Sequence, residues 1–380
     1  MNRSFHYLNI IIFCLSGISF AQSPPLSVPT PDINDLKRPL PVIEKELRKM
    51  ANQILNHDST QYKMELNKQF IDRMITILGR DDSYNYKFDS IKTISRIAPK
   101  DEAFRIFTWH IVDKTTDVFR YYGLVQKKMP LDKKTKKSPI LVKLLDDKID
   151  NALGVEQTIL NPQQWFGALY YKPRYSDYGV LTYKGKYEMI DGFGGKVRKK
   201  SVNYYVLLGW NGFTLGSNYK VIDVITFDPI DPSKINFGAP IFHFGQVPKS
   251  RVIFKYSDNA PFNLNLAKVI EKKWFFKRKK MMIVFDHLAP PNKVNEHEFF
   301  EYGPDGTLDA FNFYDKRFWN HRKGFFELKR NITVYNPALE KYNPKKPKEV
   351  YEYEKMRIKQ YNLEQYNKNK KKQVPKLKNK

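Results

Sequence analysis

Between residues 88 and 332 apolar and polar residues alternate with a period of two, and this pattern limits the fold more than any other feature of the chain. A period of two puts successive side chains on opposite faces of a strand. FRIFTWHIV (104–112) and VFRYYGLVQ (118–126) flank a turn-like insert, Asp113–Asp117. Phe104, Ile106, Thr108 and His110 share one face, and Phe107, Trp109 and Ile111 the other. Both faces are largely apolar, which predicts a hairpin covered on both sides and makes His110 a core histidine rather than a ligand. YYVLLGWNG (204–212) ends in Asn211-Gly212, a pair suited to a two-residue hairpin turn, and YKVIDVITF (219–227) supplies the returning strand. Further strands are predicted at 251–257, 262–268, 279–287, 311–319 and 323–329, with tight turns at Ser257-Asp258-Asn259 and Pro304-Asp305-Gly306. No helical pattern intervenes. The expected fold is mostly β over a body spanning 85–335, an antiparallel meander forming a sandwich or open barrel. A propeller-like arrangement is the alternative, although no blade-length repeat is present.

Other material flanks this body. Residues 41–80 predict a small N-terminal helical hairpin. Ile43, Leu47, Met50 and Ile54 form one stripe, and Ile71, Met74, Ile75 and Leu78 a second. Pro41 suits a first helical position, and Asn56–Thr60 breaks the pair, with His57 as a surface histidine. Residues 1–21 have the pattern of a signal peptide: Arg3, an apolar run from Leu8 to Phe20, and a cleavage point at Ala21-Gln22. That run is shorter than a membrane span, and no later segment reaches the roughly 18 apolar residues a transmembrane helix needs. Cys14, the single cysteine, lies inside it. Its removal leaves no disulfide, thiol nucleophile or cysteine–metal site. Residues 22–40 form a proline-rich leader, expected to be flexible. The tail, 341–380, holds 13 Lys, 1 Arg and 4 Glu and carries +10 of the total +26; residues 22–340 carry another +15. A helix is predicted over 349–366 and disorder beyond it. Charge of this kind attracts lipopolysaccharide, anionic lipid, acidic glycans or nucleic acid.

WFGALYY (165–171), YYVLLGWNG (204–212), KVIDVITFD (220–228), FGAPIF (237–242), RVIFKYS (251–257) and MIVFDHLAP (282–290) occur in this order. With FRIFTW (104–109), FRYYGLVQ (119–126) and FEYGPDG (300–306), they resemble an uncharacterised family of exported β-rich proteins common in Bacteroidota. The likeness covers roughly residues 85–315. It implies an exported protein with a β-rich body and brings no catalytic residues with it. The lysine-rich tail lies outside the shared pattern.

Among residues with chemistry, Asp286-His287 is the most conspicuous pair. Neighbours in a strand point apart, so these two are not expected to bond each other; Asp286 shares a face with Met282 and Val284, and His287 with Ile283 and Phe285. Catalysis would need partners such as Asp223, His243 or Asp305. Glu296-His297-Glu298 and His321 match no metal motif, and no metal or cofactor is expected. Gly192–Gly195 before KVRKK reads as a basic turn rather than a phosphate loop, and no Gly-x-Ser-x-Gly elbow occurs. Trp165, Tyr170, Trp210, Trp274 and Trp319 are candidates for stacking on sugars or bases, helped by Lys172, Arg174, Lys277 and Arg278. EKKWFFKRKK (271–280) is the best local candidate for polyanion binding. Trp274, Lys277, Arg278 and Lys279 carry it, and Lys370, Lys371 and Lys372 add to it from the tail. The sequence thus leads to an exported, non-enzymatic envelope protein in the periplasm, on the outer membrane or outside the cell. It would bind an anionic envelope polymer or a protein partner, with nucleic acid as a further polyanion. The alternative is a hydrolase acting on glycan or peptide through Asp286 or Asp305.

Overall fold

A computed structural model describes residues 33–147, 154–190, 197–214, 217–244, 247–273, 276–296, 298–314 and 324–335. Residues 1–21, expected to be a signal peptide, Gly192–Gly195, expected to be a basic turn, Trp274, His297, Trp319, His321 and the tail with Lys370, Lys371 and Lys372 lie outside these residues.

The helical hairpin forms as its stripes predict. Helices α1 (Ile33–Lys37), α2 (Leu40–Asn56) and α3 (Thr60–Leu78) open the described chain. Ser59 caps α3, its hydroxyl accepting the Tyr62 N–H at 3.2 Å, a contact worth about 1 kcal/mol. The short α1 falls in the leader expected to be flexible. Its Asp35 is fully buried, and Arg73 donates to both of its carboxylate oxygens at 2.7 and 3.0 Å.

Three antiparallel-rich sheets follow. The first contains β1 (Ser95–Ile97), β2 (Arg105–Asp113), β3 (Val118–Lys128) and β4 (Ile140–Asp146), in that order. The middle sheet contains β5 (Leu169–Tyr171), β6 (Leu181–Ile190), β7 (Val197–Thr214), β8 (Ser217–Phe227) and β9 (Ile235–Phe237). The third holds β10 (Phe242–His243), and β11 (Val252–Ser257) returns to the edge of the middle sheet beside β8. The third sheet is completed by β12 (Leu264–Lys273), β13 (Phe276–Ala289), β14 (Gly303–Tyr314) and β15 (Phe325–Lys329). Its order is β10-β15-β14-β13-β12, and only the two-residue β10–β15 pairing is parallel.

The sheets stack face to face. Phe107, Trp109 and Ile111 of β2 pack under α2 and α3, while Ile106 on the opposite face meets Leu207, Val221 and Ile225 of the middle sheet. Val206, Leu208, Ile222 and Val224 turn the other way, onto Leu264, Ile283, Phe285 and Phe311 of the third sheet. The middle strands are apolar on both faces because both faces are covered. Among the described residues the outcome is a layered sandwich without a closed barrel or propeller blades.

Two predicted turns are not turns. Asn211-Gly212 lies inside the β7–β8 ladder, at an irregularity between Asn211 and Thr214, and the strands separate only beyond Thr214. Asn211 donates its side-chain amide to Gly167 O at 2.6 Å, and Gly212 donates its N–H to the Tyr121 hydroxyl at 2.7 Å. A Cβ on Gly212 would sit 2.8 Å from Trp210 ring atoms, so the glycine serves close packing. Pro304-Asp305-Gly306 lies within β14, where the register with β13 shifts between Asp286 and Leu288 and Gly306 takes a φ of 91°. The alternation does not predict β4 and β6, nor the short strands β1, β5, β9 and β10.

Candidate functional site

The β12–β13 hairpin changes character along its length. Near the core, Leu266 pairs with Ile283 and Ala267 with Met282. Towards its tip, Val269 pairs with Lys280, Ile270 with Lys279 and Glu271 with Arg278. After β15 the chain folds back over the outer face of the third sheet. Ile332 donates its N–H to Leu308 O at 2.8 Å, Ile270 donates to Thr333 O at 2.9 Å, and Tyr335 donates to Lys268 O at 2.7 Å. Ile332 and Val334 cover Ala267, Val269, Met282, Val284 and Ala310.

Between the distal hairpin and residues 329–333 lies a concavity of about 530 Å³. Val269 and Met282, both at most 2% exposed, form its apolar floor. Lys277, Lys329 and Arg330 stand along its walls, together with one carboxylate, Glu271. The cations differ in commitment. Lys329 pairs with Glu327 at 2.5 Å. Lys280 donates to Phe313 O at 3.0 Å, and the Lys279 ammonium lies 3.6 Å from the centre of the Tyr335 ring. Lys277, Arg278 and Arg330 are exposed and carry no ion pair among the described residues. The hairpin residues Lys277, Arg278 and Lys279, singled out by their sequence, therefore separate: Lys277 lines the cleft, Arg278 lies opposite Glu271, and Lys279 is engaged by an aromatic ring.

The sequence's acid–imidazole candidates lie at the other end of β13. Asp286 and His287 diverge as alternation requires. The Asp286 carboxylate accepts the Asn263 N–H at 2.7 Å, and burial pushes its pKa above the ordinary aspartate value despite that bond. His287 Nδ1 meets Asp305 Oδ2 at 2.9 Å, across the bulged start of β14. Burial acts to raise the Asp305 pKa, but hydrogen bonds from the Thr307 N–H and hydroxyl, with His287 beside it, outweigh burial and hold it low. Both partners are about one third exposed. Among the described residues no serine or threonine hydroxyl bonds His287, and no group of three His, Cys, Asp or Glu is placed to hold a metal.

No family model, curated protein or solved structure matches this chain. A cationic wall over an apolar floor suits an anion whose carrier has apolar edges, with Arg330 able to grip two oxygens at once.

Other sequence candidates are structural. Asp223 is fully buried on β8, paired with the equally buried Arg251 at 3.2 Å. Arg251 also donates to the carbonyls of Val155, Thr158 and Phe237. The Tyr170 hydroxyl donates to Asp223 at 3.0 Å and accepts from Trp165 Nε1 at 2.8 Å. Trp165 and Tyr170 thus belong to the core and present no stacking platform. Trp210 donates to Asn218 and meets His110 and Phe119 ring to ring. His243 packs on Phe325. His110 is half-buried, and burial lowers its pKa, in keeping with a core histidine. Arg251 and Arg330 were missed. Each is an ordinary basic residue in its local stretch, and only the fold gives it partners.

Proposed function

We propose that this protein is a non-enzymatic binding module of the cell envelope, exported like the Bacteroidota proteins it resembles, which holds an anionic envelope polymer in the cleft between the β12–β13 hairpin and residues 329–333. The observation that supports this reading is the pairing of two uncommitted cations, Lys277 and Arg330, with an apolar floor in one concavity. The basic tail adds attraction of the same sign.

Heparin–agarose, eluted with a sodium chloride gradient, tests it. Lys277→Glu with Arg330→Glu should elute at clearly lower salt than Lys45→Glu with Lys49→Glu, an equal charge change on the exposed face of α2. Equal elution of the two double variants would remove the cleft from the account. Deleting 341–380 should lower the elution salt further, because the tail contributes long-range attraction.

The 2.9 Å contact between His287 and Asp305 supports a second reading, a hydrolase acting on glycan or peptide. Its requirement is plain: the full chain must release products from peptidoglycan or a peptide, and His287→Ala must stop the release.

A further inference from the structure

Tyr175 is 75% exposed, the most open aromatic among the described residues, and its φ is 62°. A left-handed backbone disfavours an L-residue with a large side chain, so something must hold this loop. The fastening is visible. The loop after β5 crosses to the third sheet, where Arg174 donates its N–H to Asn265 Oδ1 at 2.7 Å. The Ser176 hydroxyl donates to Tyr178 O at 2.7 Å. Tyr175 is therefore displayed beside the start of β12.

What it stands beside is polar and only partly used. Asn265 donates its amide to Asn263 Oδ1 at 2.9 Å, and Asn263 donates its N–H to one oxygen of Asp286. Among the described residues this leaves the Asn263 side-chain nitrogen and the second Asp286 oxygen without a protein partner. Asn263 is exposed and Asp286 half-buried, on the same face of the third sheet by register. An open phenol ring, an amide donor and a carboxylate acceptor match the three features of a pyranose: an apolar C–H face, a hydroxyl oxygen that accepts, and a neighbouring hydroxyl that donates.

We propose that Tyr175, Asn263 and Asp286 form a subsite for a neutral sugar, the ring stacking on its face and the two polar groups holding adjacent hydroxyls. The subsite goes beyond the basic cleft and uses none of its residues. It lies on the outer face of the third sheet, as does Glu271 of the cleft, six residues along β12 from Asn265 or about 20 Å at strand rise. With the cleft's role, on which this last step rests, the polymer becomes an acidic glycan that places a neutral unit at one end of the face and an anionic group at the other.

Affinity electrophoresis of the full chain towards the cathode, through gels containing soluble neutral polysaccharides (a β-glucan, a mannan, a xylan and a dextran), tests the subsite. At least one polysaccharide should retard the wild type, and retardation should persist in 0.3 M salt because no net charge is exchanged. Tyr175→Ala and Asp286→Asn should each weaken it by roughly tenfold. Tyr175→Gly, which relaxes the left-handed backbone, should weaken binding equally while leaving the thermal midpoint unchanged or higher. Lys277→Glu with Arg330→Glu should lower heparin affinity and leave neutral-sugar retardation intact. The proposal is overturned if no neutral polysaccharide retards the wild type, if either Tyr175 variant stays retarded, or if the cleft variant loses retardation, which would trace the effect to charge. Failure on heparin alone would count against the cleft and not against the subsite.

Discussion

At Asp223 a carboxylate sits with no exposure in the middle of VIDVITF, on the face of β8 that meets the first sheet. The sequence offers it as a possible partner for catalysis. The fold gives it Arg251, Tyr170 and the N–H of Val224 instead, which together account for both oxygens. A buried ion pair contributes little net stability, but breaking one strands the surviving charge. Arg251→Leu should therefore cost about 3–5 kcal/mol, read from urea denaturation, because it leaves Asp223 without its cation and the Thr158 carbonyl without its donor. A cost under about 1 kcal/mol would mean that water enters this layer and solvates the carboxylate.

The elements show where local pattern suffices and where it misleads. The helical hairpin was legible because a stripe at helical spacing and a cap are local signals. Its ion cluster was not. Glu46 of α2 accepts hydrogen bonds from Arg38 and then Arg73, and these hold its pKa at about 2 against the ordinary 4.5. A depressed carboxylate contributes stability that is fully present above 4.5 and is lost as pH falls towards 2. Thermal midpoints measured between pH 6 and pH 2 should fall less steeply for Glu46→Gln than for the wild type. The side chain is 38% exposed, so the difference should be modest. At β7 the local signal points the wrong way. Asn-Gly favours a turn in isolation, yet Gly167, Tyr121 and Trp210 give this pair partners only within a continuous strand.

Over the whole molecule the middle sheet is the joint, since both of its faces are core. Leu207 faces the first sheet and Leu208 the third, each with no exposure. Leu207→Ala and Leu208→Ala should each cost about 2–5 kcal/mol and lower the same single calorimetric transition. Two transitions, with each substitution shifting only one, would show that the layers unfold separately. By itself the sequence determined most of the long strands, the helical pair and the divergence of Asp286 from His287, because all of these follow from the period of the chain over a few residues. It also showed a basic hairpin. Only the tertiary structure decided that Arg330 and Lys277 line one cleft, that Asp305 reaches His287, that Arg174, next to Tyr175, is tied to Asn265, and that Asp223 is a strut. Those meetings join residues from 18 to 91 positions apart. They depend on strand register and on the order in which the sheets stack, and neither is encoded in the spacing of neighbours.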